Sequence, residues 1–459
     1  MISLTIAEIC EVVSGTARDV DPTMSVSGSV QTDSRLVETG SIFFALRGDE
    51  TDGHLFADKA VANGAALIIA ERGLDVAVPV IIVADGVAAL ASLAALVVAR
   101  VRAAGTLSVV AVTGSNGKTT TKNLLLAILG DNGPTVAPIE SFNNHVGAPI
   151  SMLRITEETR YLVVEMGASH LGEIAHLVDI CKPDIAIVLK VGLAHVGEFG
   201  GIETTLRAKS EMVVNLAPTS LALLNVDDER VASMASLTQA RVRWFGRESV
   251  RVTHAGIDGT SFTATIGAQS IDVQLRIVGE HHVVNALAAL TVADELGLDL
   301  GRAATSIAAV GRAERWRMEL LTTPAGATVF NDAYNASPDS MDAALRTVAA
   351  LEPAGRSIAV LGEMTELGAD SEMYHARVGT LVAELGYSEL IVVGEPARAA
   401  FTAAARETDW KGGLVFVESP ERAEELLERT LTAGDVVLIK SSKSANLRFV
   451  GDRLARVGA

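Results

Sequence analysis

The run Val109-Val110-Ala111-Val112-Thr113-Gly114-Ser115-Asn116-Gly117-Lys118-Thr119-Thr120-Thr121-Lys122 leads from an apolar strand through a turn with two glycines into a helix. A turn of that kind aims backbone N–H groups and the positive end of the helix at one anion. Gly114, Ser115, Asn116, Gly117, Lys118, Thr119 and Thr120 are therefore expected to wrap the phosphates of a nucleotide. Lys118 would neutralise β- and γ-phosphate charge, and the Thr119 hydroxyl would ligate Mg²⁺. The common phosphate-loop pattern places a glycine at position 112, where this chain has valine, so the loop is a variant of it.

Three further segments put polar groups where a sheet would present them to a ligand. The apolar run Tyr161-Leu162-Val163-Val164 ends on Glu165, and a carboxylate at the carboxyl end of a buried strand suits a phosphate-bound Mg²⁺. His195 sits in the glycine-rich stretch Gly192–Gly200 beyond another strand. Lys209 follows on the helical stretch Arg207-Ala208-Lys209-Ser210-Glu211. Each has an ordinary reading as well: an exposed strand-end Glu, an inert loop His, a surface helix Lys.

Positioning these groups requires strands alternating with helices. Apolar strands are expected at Leu107–Val112, Tyr161–Glu165, Asp184–Leu189 and Leu221–Asn225, with a helix from about His282 to Leu296. A later series runs through Thr328–Asn331, Ser357–Leu361, Leu390–Val393, Leu414–Val417 and Val436–Lys440. Ser337 reads as the N-cap and Pro338 as the first residue of a helix between them. Such alternation predicts parallel, doubly wound sheets in an α/β protein. At 459 residues, 49% apolar and 20% charged, the chain can bury several cores. Three domains are expected, over residues 1–104, 105–312 and 313–459.

A net charge of −18 argues against a nucleic-acid or anionic-membrane surface. Cys10 and Cys181 are too few and too far apart in sequence for a disulfide framework or a zinc site. The N-terminus lacks a basic stretch before its apolar part, so no signal peptide is expected. The apolar run Val87–Val101 reads as a buried helix, and a soluble, cytoplasmic location follows as the expectation. Nothing in the sequence demands more than a monomer.

The order of motifs is a GKTT loop, strand-EMGAS, strand-GLAHVGEFG, RAKSEM, GEHHVVNALAAL and NDAYNASPDS. It resembles the Mur ligase family of ATP-dependent, amide-forming enzymes over nearly the whole chain. Three more features narrow the likeness: Thr32-Asp33-Ser34-Arg35 with Asp52-Gly53-His54, Asn143-Asn144-His145-Val146-Gly147, and Leu361-Gly362-Glu363-Met364-Thr365-Glu366-Leu367-Gly368. They are most similar to the members that join D-Ala-D-Ala to UDP-N-acetylmuramoyl-tripeptide in peptidoglycan precursor synthesis.

That resemblance implies a small α/β N-terminal domain for the UDP-muramoyl substrate, a central P-loop domain for ATP and a Rossmann-like C-terminal domain for the incoming dipeptide. The γ-phosphoryl would pass to the substrate carboxylate, and the dipeptide amine would displace phosphate from the acyl phosphate. By the same likeness, Thr119 and Glu165 serve one Mg²⁺ and His195 helps bind a second. Lys209 carries a carbamate that supports the second metal or the γ-phosphate. Asn285 lies by adenine, Asp332 by the ribose and hinge, and Arg315, flanked by Arg312 and Arg317, at the γ-phosphate. Asp33, Ser34 and Arg35, with Asn143 and Asn144, contact the acid substrate. Lys440-Ser441-Ser442-Lys443 departs from the family's usual Lys-Gly-Ser-Arg, which puts the grip on the dipeptide carboxylate in question. The competing readings are a folylpolyglutamate synthase-type ligase and a nucleotide-binding regulator without turnover.

Overall fold

A computed structural model of the chain describes residues 1–457 apart from 18–19, 49–50, 106, 140, 194–195, 312–314 and 352, with the side chains of 196 and 198 left aside. Three α/β units follow one another along it.

The central unit is built on six parallel strands in the spatial order Arg241–Phe245, Leu221–Asn225, Ile185–Val188, Ser108–Thr113, Tyr161–Glu165 and Thr135–Val136. Strands buried on both faces must be apolar throughout. Val109 and Ala111 face one core, while Val110 and Val112 face the other. The chain order reverses at Ser108–Thr113, which makes the end of that strand the topological switch point. Helices Lys118–Gly130, His282–Glu295 and Leu300–Ala309 cover one face.

One departure from simple alternation is an antiparallel meander of Val250–Gly256, Gly259–Ile266 and Gln269–Leu275, which the sequence reading passed over. Its strands are half-exposed and polar on one face, so the signal is weak alternation, with Ile257-Asp258 as the turn before Gly259. The meander packs on the Leu300–Ala309 helix and enlarges the core beneath it.

The C-terminal unit is a second six-stranded sheet, ordered Glu319–Thr322, Thr328–Asn331, Val436–Lys440, Ser357–Leu361, Glu389–Val393 and Gly413–Val417; only the first strand runs antiparallel. Ser337 caps the helix Pro338–Ala349 as expected, its hydroxyl accepting from the Ser340 amide. The N-terminal unit carries a five-stranded sheet centred on Ile42–Ala45 and Leu67–Ala70.

The helix Gly86–Ala104 is long and apolar enough to cross a membrane. Asp85 starts it by accepting from the Val87 and Ala88 amides at 2.8 and 2.9 Å. Leu90, Leu93, Ala94, Val97 and Val101 are buried in a core shared by the N-terminal sheet and one face of the central sheet. Its apolar stripe is thus met by protein and joins two units through one continuous core.

Candidate active site between the central and C-terminal sheets

The glycine turn sits at the switch point, beyond Thr113. Gly117 adopts a left-handed conformation with φ +87°, and a Cβ there would lie 2.4 Å from Asn285 Oδ1. Glycine is needed on both counts: the conformation is costly for an L-residue, and the neighbouring helix leaves no room. Lys118 opens the following helix, and its Nζ donates to the Gly114 carbonyl at 2.7 Å. Burial lowers the pKa of Lys118, Glu165 opposes that shift, and Arg317 adds to it.

A cavity of about 1300 Å³ opens in front of this turn. Ser115 to Thr120, Ser141, Asn143, Asn144, Glu165, Lys209 and Asn285 line it from the central unit. Arg317, Asp332, Tyr334, Asp339 and Lys443 line it from the C-terminal unit. A ligand in it would touch both sheets.

Glu165 is fully buried at the end of its strand. One oxygen, Oε1, accepts from Asn143 Nδ2 at 2.7 Å and from Thr119 Oγ1 at 3.3 Å. The other, Oε2, has no hydrogen-bond partner. A buried carboxylate oxygen left unpaired is expensive, and a cation beside it removes the cost. No group of three His, Cys, Asp or Glu side chains able to hold a metal occurs among the described residues. The unpaired Glu165 oxygen and the adjacent Thr119 hydroxyl fit Mg²⁺, which keeps waters and phosphate oxygens and asks the protein for only one or two ligands.

Lys209 is buried on the helix Ile202–Val214, and its pKa is lowered to about 7, chiefly by burial and then by the charge of Lys118. A neutral amine is the form that carbamylation requires. His195 and Arg312 lie outside the described residues. Asn285 Nδ2 stands 3.3 Å from His282 Nδ1. Burial holds His282 well below its ordinary pKa, and its Nε2 has no partner.

Of the arginines expected near the γ-phosphate, the structure describes Arg315 and Arg317, and it separates them. Arg315 does not line the cavity: Asp452 holds it at 2.7 Å and Glu319 at 3.3 Å, and its guanidinium lies over the Trp316 ring. Arg317, two residues on, enters the cavity, donates to Ser141 Oγ at 3.1 Å and lies 4.4 Å from the Tyr334 ring centroid. Trp316 and Met318 both have positive φ, +61° and +50°, so successive side chains leave this segment in directions that no regular strand register predicts. Sequence spacing alone could not separate these arginines.

Asp332 accepts from Lys440 Nζ at 2.5 Å and from the Met318 amide at 3.0 Å. Lys443 also lies over Tyr334, 5.3 Å from the ring centroid. Ser441 and Ser442 are buried, and the Ser442 hydroxyl accepts from the Thr365 amide, so the unusual serine pair is built into the fold. Asn144 spends its oxygen on the Val146 and Gly147 amides. Asp33 and Arg35 pair with each other at 2.6 Å in the N-terminal unit beside buried Ser34, apart from this cavity. Ser141 and His282 were assigned no role from sequence; Ser141 has no local pattern, whereas the paired histidines before Asn285 were visible.

Three family descriptions match the chain in order: "Mur ligase family, catalytic domain" over residues 28–108, "Mur ligase middle domain" over 112–293, and "Mur ligase, glutamate ligase domain" over 316–443. The chain is 40% identical to the UDP-N-acetylmuramoyl-tripeptide--D-alanyl-D-alanine ligase of Mycobacterium tuberculosis, covering 99% of this chain and 98% of that protein. Among solved structures, MurF from Acinetobacter baumannii superposes with a TM-score of 0.88 at 30% identity over 99% of both chains. MurF ligase from Thermotoga maritima in complex with ADP gives 0.80 at 28% identity over 94% of this chain and 97% of that one. The likeness extends through all three units, and the chain belongs to the Mur ligase family.

Proposed function

We propose that this protein uses ATP to join D-Ala-D-Ala to UDP-N-acetylmuramoyl-tripeptide, in the cytoplasm and as a monomer. The observation that carries the reading is the shared cavity, where Lys118, Thr119 and Glu165 of one sheet face Arg317 and Asp332 of another. Relatives across its whole length are named for this ligation, and one related structure was solved with ADP.

Residues 1–104 would seat the acid substrate, with Asp33, Ser34, Arg35, Asn143 and Asn144 contacting it. Residues 105–312 would seat ATP, and residues 313–459 the dipeptide. Gly114 to Thr120 would cradle the phosphates, with adenine near Asn285 and the ribose near Asp332. Thr119 and Glu165 would hold Mg²⁺, which when bound neutralises charge between the β- and γ-phosphates. His195 is assigned to a second Mg²⁺, with a carbamate on Lys209.

A carboxylate acylates poorly in water, and phosphorylation gives it a leaving group. One carboxylate oxygen bonds to the γ-phosphorus, and the bond to the bridging oxygen breaks, releasing ADP. The dipeptide nitrogen then bonds to the acyl carbon, phosphate leaves, and the ammonium proton is lost. Lys118 and Arg317 stabilise charge on the transferring group, and the two sheets hold the reactants in line.

The test is phosphate release from ATP with Mg²⁺, UDP-muramoyl tripeptide and D-Ala-D-Ala. Turnover should require the dipeptide. Turnover with a reduced folate and glutamate in its place would overturn the reading, and no turnover with any pair would favour a regulator.

A further inference from the structure

After the strand Ile185–Val188, three consecutive backbone amides are each taken by a side chain from a different place. Val191 N–H donates to Asp228 Oδ2 at 2.9 Å, Gly192 N–H to Ser115 Oγ at 2.8 Å, and Leu193 N–H to Asp339 Oδ2 at 2.7 Å. Asp228 belongs to the central sheet's own surroundings and Ser115 to the phosphate loop. Asp339 belongs to the C-terminal unit, in the first turn of Pro338–Ala349. Its other oxygen faces Lys190 Nζ at 3.3 Å. Ser115 is tied to the same loop twice more: its amide donates to the Lys190 carbonyl at 2.8 Å and its hydroxyl reaches the Gly192 carbonyl at 3.1 Å.

The first-turn position of Asp339 has a local explanation, since a carboxylate there favours the helix dipole. That alone would leave the side chain in solvent. Here both oxygens engage the other unit, and Gly192 makes room for them: a Cβ at 192 would stand 2.3 Å from Asp339 Oδ2. A second contact runs alongside, with Gly197 N–H donating to the Glu366 carbonyl at 2.8 Å.

We propose that Asp339 is a positioning residue: from the C-terminal unit it braces the 190–193 loop against Ser115, so that docking of that unit sets the geometry of the phosphate loop. The proposal rests on the nucleotide-site reading above. It adds that the phosphate loop acquires its working shape only when the third unit is seated.

The test compares Asp339→Ala, Asp339→Asn and Gly192→Ala in the full-length protein. Kinetics are measured for each substrate, and affinity for a non-hydrolysable ATP analogue with Mg²⁺ is measured by calorimetry. Asp339→Ala should lower kcat roughly 10- to 100-fold, the scale of a misplacement near 1 Å. It should weaken the analogue, while KM for the UDP-linked substrate stays within about twofold. Asp339→Asn keeps an oxygen for the Leu193 amide and should recover most of the loss. Gly192→Ala displaces that carboxylate without removing it and should reproduce the Asp339→Ala pattern, which settles the matter if Asp339→Ala folds poorly. The proposal is overturned if Asp339→Ala matches the unaltered protein, if Asn is no better than Ala, or if all three substrates suffer equally. Calorimetry with the analogue does not depend on which acid and amine are joined, so failure of the ligation assay is read separately.

Discussion

Arg315 and Arg317 are two residues apart and chemically identical, yet their surroundings assign them different work. Arg315 is bound to Asp452 and Glu319 on the outer side of its segment, with about half its side chain exposed. Arg317 enters the cavity between the two sheets beside Ser141. Arg317→Ala should therefore lower kcat roughly 10²-fold, the usual effect of deleting a preorganised charge donor. Arg315→Ala should cost about 1–3 kcal/mol of stability, because it leaves the buried Glu319 and Asp452 carboxylates short of a partner, with kcat changed by a few-fold at most. Steady-state kinetics and urea unfolding on the two variants check this, and the reverse pattern would return the catalytic role to Arg315. Lys209 offers a pH signature. Without the carbamate, burial pushes its ammonium down to about 7 in the fold, from 10.5 in the unfolded chain. Between those values the unfolded chain holds the extra proton, so stability rises with pH; below 7 the burial cost is present in full. Urea midpoints at pH 7 and pH 9 should differ less in Lys209→Met than in the unaltered protein.

At the scale of elements, a strand, a glycine turn and a helix meet where the sheet order reverses. The turn is legible in the sequence, since glycine, lysine and threonine follow an apolar run directly. Its tightness is not, because the constraint on Gly117 comes from Asn285 on a helix far along the chain. Gly117→Ala should lose about 1–2 kcal/mol of stability from the left-handed backbone alone. It should also bind nucleotide analogue at least ~10-fold more weakly, since the added carbon drives Asn285 away. Circular dichroism melts and calorimetry measure the two effects; retained affinity would mean that the turn does not close on the ligand. The meander Val250–Leu275 illustrates the opposite case. Its strands are half polar, so their only local signal is a period of two over short runs, and the helix Leu300–Ala309 supplies the apolar partner that makes them a sheet.

For the whole molecule, the ligand cavity is a property of two sheets together. A nucleotide analogue with Mg²⁺ should stabilise the protein by about 2.7 kcal/mol at 100 times its dissociation constant. If thermal unfolding shows separate transitions, those of the central and C-terminal units should both move. Movement of the central transition alone would show that the C-terminal unit contributes no contact. The helix Gly86–Ala104 couples the first two units by the same physics at a larger scale, sharing one apolar core between two sheets.

The amino-acid sequence alone determined the α/β class, the strand-turn-helix at Gly114–Lys118, the strand ending on Glu165 and the family likeness, because each rests on near neighbours in the chain or on a fixed order of short motifs. Backbone propensity, burial period and glycine chemistry act locally, and local signals survive in a string of letters. Tertiary structure alone decided that Arg317 enters the cavity, that Glu165 keeps one buried oxygen unpaired and that Asp339 reaches Leu193 across 146 residues. Those facts depend on side-chain direction and on contacts between distant segments, which exist only once the sheets have packed.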